Sequence, residues 1–91
     1  MKILVAYDGS KLCKDALTLA KQHAVANKGE VIAITSLYVH DSFEINEAEN
    51  AMVEAKQIFD DGAIPFTTEI SVAGMNAGED IVRFAGEQKV D

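Results

Sequence analysis

The residues of this chain best placed to do chemistry are Asp8, Gly9 and Ser10, which directly follow the apolar run Ile3-Leu4-Val5-Ala6-Tyr7. Where a strand gives way to a helix through such a turn, the first helical N–H groups point outward unpaired, and glycine lets another molecule approach the backbone closely. Two readings of the turn stay open on pattern alone. It is docking ground for an anion or a nucleoside, or it is a plain connection in which Gly9 serves the turn and Ser10 caps the helix. Cys13 lies in the first helical turn, where a thiolate is stabilised, but its alignment with Ala16, Leu17 and Ala20 reads as a packed, inert thiol. His23 falls on the outer face of the same helix. His40 ends the second apolar run with neither a nucleophile nor a second acid beside it, so no catalytic centre is indicated. A lone cysteine forms no intramolecular disulfide, and no zinc-ligand spacing is present.

The elements that must position these groups follow from periodicity. Ile3 to Tyr7 is apolar at successive positions, the pattern of a central strand covered on both faces. Ser10 caps a helix whose apolar face is Cys13, Ala16, Leu17, Ala20 and Ala24, and Gly29 ends it. Val31 to Val39 predicts a second buried strand. Ile45, Ala48, Met52, Ala55 and Phe59 recur at spacings of three and four, a second amphipathic helix closed by Gly62. Pro65 opens a third strand in which Phe66, Thr68, Ile70 and Val72 alternate with polar residues, as on a sheet edge. Asn76, with Glu79 three residues on, starts a third helix carrying Ile81, Val82 and Ala85. Met52, Phe59 and Phe84 read as core. The order β-α-β-α-β-α predicts an α/β fold, an open parallel sheet with helices on both faces. In such sheets ligands sit at the carboxyl ends of the strands, here Asp8, Val39 with His40, and Gly74.

Composition narrows the function classes. A 91-residue chain is a single domain at most, and one of this size buries roughly 60–65% of its unfolded surface, a modest margin. Fifteen acidic residues against eight basic ones give a net charge of −7, a field that repels nucleic acids and anionic membranes. Residues 1–28 hold five lysines against two aspartates, so an anion site belongs near the N-terminal third. The competing and preferred reading makes Lys11, Lys14, Lys21 and Lys28 the solvated face of one helix. No run approaches membrane-spanning length and no signal-peptide core follows Met1-Lys2, so a cytoplasmic location is expected.

The opening Lys2-Ile3-Leu4-Val5-Ala6-Tyr7-Asp8-Gly9-Ser10 resembles that of the universal stress proteins, an α/β family whose members commonly bind ATP. Leu37-Tyr38-Val39-His40-Asp41 and Gly74-Met75-Asn76-Ala77-Gly78-Glu79-Asp80-Ile81-Val82 are similar to stretches at corresponding places in that family. The resemblance implies an adenine nucleotide alpha hydrolase-like sheet of order 3-2-1-4-5, of which residues 1–91 supply the 3-2-1 part, an incomplete domain that stops after the third helix. It implies that Ala6, Tyr7 and Asp8, with Gly9 and Ser10 in the turn, hold the adenosine and that Val39 lines the adenine. The family's phosphate-binding motif, Gly-x2-Gly-x9-Gly-Ser/Thr, follows the fourth strand and has no counterpart among these residues; Gly74 and Gly78 have the wrong spacing and place. Weak binding of ATP by this chain is therefore expected. Strand one would be a bare edge, to be covered by a second copy of the chain in a homo-oligomer or by another chain. The resemblance thus implies a non-enzymatic, adenine-nucleotide-binding domain of the stress response. The alternative is a protein-interaction or dimerisation module of the same fold without nucleotide.

Overall fold

The computed structural model describes residues 1–38, 40–72 and 74–90. Three strands and three helices alternate: β1 (Lys2–Ala6), α1 (Lys11–Asn27), β2 (Glu30–Leu37), α2 (Ser42–Ile58), β3 (Phe66–Val72) and α3 (Ala77–Gln88). Both strand pairs are parallel and the sheet order is β1-β2-β3. Parallel neighbours cannot be joined by a tight turn, so each connection carries a helix across a face of the sheet.

Among the described residues β2 is the middle strand and β1 stands at an edge, the 3-2-1 order expected above. Val31, Ile32, Ala33 and Ile34 are all buried, whereas Ile3, Leu4 and Val5 are half-buried. Successive apolar residues report coverage of both faces rather than position in the sheet, and β1 is covered on both faces while standing at an edge. Strand alternation divides the apolar side chains between two layers. Val31 and Ala33 pack with Leu17, Ala20 and Ala24 of α1 and with Met52 and Ala55 of α2. Ile32 and Ile34 pack with Phe84 of α3, flanked by Leu4 and Ile81. Phe59, at the end of α2, stacks on Phe66 of β3 with ring centroids 4.0 Å apart.

Caps set the helix boundaries. Ser10 accepts from the Cys13 N–H at 3.2 Å, Asp41 from those of Phe43 and Glu44, and Asn76 from that of Glu79 at 2.9 Å. At the end of α1 the left-handed residue is Lys28, with φ +55°, rather than Gly29. Gly29 is required for a different reason: a Cβ there would lie 2.7 Å from the Met1 carbonyl oxygen, where the chain crosses the start of β1. The lysines of α1 serve mostly as pairing partners. Lys11 meets Asp15, Lys14 meets Glu54 at 2.9 Å, and Lys21 meets Asp61 and the Ile58 carbonyl, both at 2.8 Å. The last two tie α1 to α2.

Ala16, predicted in the core face, is exposed together with Leu19, which is 66% exposed. Both border a groove of about 640 Å³ along β1 that Ile3 and Val5 floor. No strand among the described residues covers that edge. No helix among them is long and apolar enough to cross a membrane.

Leu17 and Leu19 separate burial from composition on one helix. Leu17 is fully buried, so Leu17→Ala should cost about 2–5 kcal/mol in urea unfolding, and Leu19→Ala less than about 0.5 kcal/mol. Equal losses would contradict the packing described.

Candidate functional site

The register that sets Ala6 beside Ile34 ends β1 three residues before β2, leaving a step at the carboxyl ends of the strands. Across that step the Tyr7 N–H donates to the Ile34 carbonyl at 2.9 Å, and the Thr35 hydroxyl donates to the Tyr7 carbonyl. Ala77 and Ile81 of α3 close one side, and Cys13 of α1 borders another. The cavity has a volume of about 200 Å³ and is open to solvent, with Ala6, Asp8, Ile34 and Ser36 among its walls.

Asp8 is the cavity's charged group. Its Oδ1 accepts from the Ser10 N–H at 2.8 Å, closing a short Asx-type turn before α1. The Ser10 hydroxyl, then the Ser10 N–H, hold its carboxyl down to about 2 from an ordinary 3.8. Both are donors that stabilise only the ionised form. The turn needs its glycine: Gly9 has φ +86°, and a Cβ there would sit 3.3 Å from that of Ala51 on α2.

Behind the cavity wall lies a second carboxylate. Asp80, in the first turn of α3, is fully buried. Its Oδ2 accepts from the Ser36 hydroxyl at 2.5 Å and its Oδ1 from Arg83 at 2.5 Å. Ser36 first, then Ser71, then Arg83 hold its pKa below the ordinary carboxylate value against the opposing effect of burial. A buried charge left unpaired is strongly destabilising, so this carboxylate fixes the start of α3 against the ends of β2 and β3.

The predicted site residues therefore divide. Ala6, Tyr7 and Asp8 surround one cavity. The Tyr7 ring itself is packed in the core, its hydroxyl without a hydrogen-bond partner among the described residues, and burial pushes that phenol up. Gly9 and Ser10 shape the turn without lining the cavity; Gly9 faces a separate shallow depression with Glu47 and Asn50. Val39 lies outside the described residues. His23 and His40 are exposed. Among the described residues no cluster of histidine, cysteine or carboxylates is arranged to hold a metal ion. Sequence reasoning missed Thr35, Ser36, Ala77 and Ile81 as cavity residues and Asp80 as the buried partner of one of them. A usable signal existed in the polar pair Thr35-Ser36 ending a buried apolar run; Asp80 gave none beyond a helix-start acid.

The universal stress protein family model matches residues 1–91. A universal stress protein from Archaeoglobus fulgidus superposes with a TM-score of 0.89 at 26% identity, over 99% of this chain and 71% of that one. The universal stress protein from the same organism in complex with dAMP gives 0.89 and 26%, over 99% and 75%. A universal stress protein in complex with cAMP, at 24% identity and a TM-score of 0.74 over 100% and 68%, supports the fold alone. A comparison with curated protein sequences gives no match.

The Asp8 carboxyl should titrate with a midpoint near pH 2 in carbon-detected NMR, well below its ordinary 3.8. Because the folded value is the lower one, its contribution to stability is complete above the ordinary value and disappears as pH falls through the folded one. Ser10→Ala should move the midpoint upward; an ordinary midpoint in the parent chain would contradict the turn geometry.

Proposed function

Because the chain belongs to the universal stress protein family, we propose that it binds an adenine nucleotide, base and sugar first, in the cavity between the ends of β1 and β2. The observation that carries this reading is the convergence of Ala6, Tyr7 and the ionised Asp8 on one cavity at the carboxyl ends of parallel strands. The dAMP complex of the relative from Archaeoglobus fulgidus supports it. An accept-only carboxylate at such an edge suits sugar hydroxyls, which bring their own protons. The same charge repels phosphate, so the phosphates point away from Asp8. Val39, two residues beyond β2, is proposed to reach the adenine.

The affinity of these 91 residues is proposed to be low. A cavity of about 200 Å³ is smaller than the usual 300–1,000 Å³ ligand site. Burying about 100 Å² of base contributes some 2.5 kcal/mol before the costs of association, against the roughly 8 kcal/mol that micromolar binding needs. The role is binding and signalling in a stress response rather than catalysis, within the cytoplasm.

A second reading, interaction through β1, is favoured by the groove. The Tyr7 N–H and the Met1 carbonyl both bond toward β2, so by strand alternation the polar groups of Leu4 and Ala6 face the uncovered edge. The groove beside that edge is lined by Ile3, Val5, Ala16, Leu19 and their neighbours, with no lysine, arginine, aspartate or glutamate among them. In a chain of charge −7, such a patch is where a second copy approaches with least repulsion.

Isothermal titration with ATP should give no dissociation constant tighter than about 0.1 mM, while saturation transfer should reach the adenine protons. A low-micromolar constant would overturn the low-affinity claim, and no transfer would overturn nucleotide binding. Sedimentation equilibrium should show self-association that Leu19→Glu reduces and Val53→Glu, on exposed α2 surface, does not. A monomer at all concentrations would remove the second reading.

A further inference from the structure

We propose that a second copy of the chain pairs with β1 antiparallel about a two-fold axis through Leu4, and that the Lys2 it brings beside Ala6 supplies the positive charge met by the phosphate end of the bound nucleotide. The inference rests on both readings given above, the nucleotide at the strand ends and the second copy on β1. Identical edges close on one another only through a two-fold. An axis along the strand would set each N–H against its own copy, so the axis stands perpendicular to the sheet and the two strands run antiparallel. Leu4 and Ala6 turn their main-chain polar groups to the uncovered edge, because the Tyr7 N–H and the Met1 carbonyl bond toward β2. Outward groups must meet outward groups. Leu4, the middle of the five residues Lys2–Ala6, therefore stands opposite itself in the register that uses the whole strand. Ala6 then faces Lys2 of the second copy, and Ile3 faces its Val5.

Charge and side-chain direction agree with that register. The groove beside β1 holds no aspartate or glutamate, and the two copies of Lys2 fall at opposite ends of the pair, roughly 14 Å apart. Alternation puts Leu4 and Ala6 on the α3 face: Leu4 packs with Ile32, Ile34 and Phe84, and Ala6 lines the nucleotide cavity with Ser36, Ala77 and Ile81. Lys2 is on the same face, its Nζ donating to the Gln88 carbonyl of α3 at 3.0 Å and lying 3.6 Å from Glu30. Residues directly opposite in an antiparallel pair share a face, so Lys2 of the second copy stands beside the cavity at its Ala6 wall. A lysine acts on phosphate as a point charge on a flexible stem, without a fixed contact geometry. Among the described residues no cation of the same chain borders the cavity: Lys14 is held by Glu54, and Arg83 by Asp80 and Glu87. Asp8 repels the phosphates, α3 and Cys13 close two sides, and Ala6 is the exposed wall toward the uncovered edge.

By linkage, the phosphate must then favour the dimer. Sedimentation equilibrium of the 91-residue chain, alone and with adenosine 5′-monophosphate or adenosine at one ionic strength, measures this. Each of the two exposed phosphate–lysine contacts strengthens association about threefold, so the monophosphate should raise the association constant about tenfold and adenosine should not. Lys2→Met should abolish the increase and Lys2→Arg retain it, with circular dichroism unchanged in both; if Lys2→Met fails to fold, the comparison of the two ligands on the parent chain decides. Isotope-filtered NMR of mixed labelled and unlabelled chains should show Hα–Hα contacts between Ile3 and Val5 of different copies. Association indifferent to the monophosphate, an equal increase with adenosine, or an increase that survives Lys2→Met would overturn the shared site while both earlier readings stand. Dimers without the Ile3–Val5 contacts would overturn the register and this inference with it. A monomer at all concentrations would overturn the second-copy reading, and absence of saturation transfer to the monophosphate would overturn the nucleotide reading; either result takes this inference with it.

Discussion

Parallel pairing of β1 with β2 is the constraint from which the rest of the molecule follows. With Ala6 beside Ile34, the Tyr7 N–H is satisfied by β2 after β1 has ended, and the Tyr7 carbonyl is satisfied by Thr35. The chain must then leave the sheet at Asp8, and the step so formed becomes a cavity wall. Parallel order also forces helical crossovers, which place α1 and α2 against one face and α3 against the other. A fold with antiparallel β1 and β2 would bring Asp8 to the opposite end from Ser36 and dissolve the site.

Two carboxylates divide the work at that step. Asp8 is exposed, held ionised by the turn that it closes, and faces the cavity. Asp80 is buried and paired, and does not border it. The first is available to a ligand; the second is available only to the protein, where it locks α3 and dictates which way the Ser36 proton points. Positive charge nearby is used up: Lys14 is on Glu54 and Arg83 is on Asp80 and Glu87. That distribution fits the sugar and base of a nucleotide better than its phosphates.

Much of the fold was legible because burial leaves a periodic mark. The buried run at Val31 to Ile34, the three-and-four spacing from Ile45 to Phe59 and the Asn76 cap all fall where the sequence predicts them. Position within the sheet left no such mark in the residues of β1; the 3-2-1 order, with β1 at the edge of the described residues, came from the family resemblance, and the structure has it. Ala16 read as core because helical spacing cannot say whether a neighbour exists opposite it. Of the site, the Asp8 turn was legible because a glycine between strand and helix is a local signal. Ser36 and Asp80 were not, since their partnership spans 44 residues of sequence and depends on the crossing of α3 over β2. Gly29 follows the end of α1 as its sequence suggests, but the left-handed residue is Lys28, and what requires the glycine is the close approach of Met1 one residue beyond the cap.

The central claim is the location of the nucleoside, and amide chemical-shift mapping with adenosine 5′-monophosphate tests it most directly. Binding at the strand ends predicts shifts concentrated at Ala6, Asp8, Ser36, Ala77 and Ile81, with α1 surface residues such as Leu19 and His23 unmoved. Shifts confined to the groove beside β1, or none at millimolar nucleotide, would contradict it.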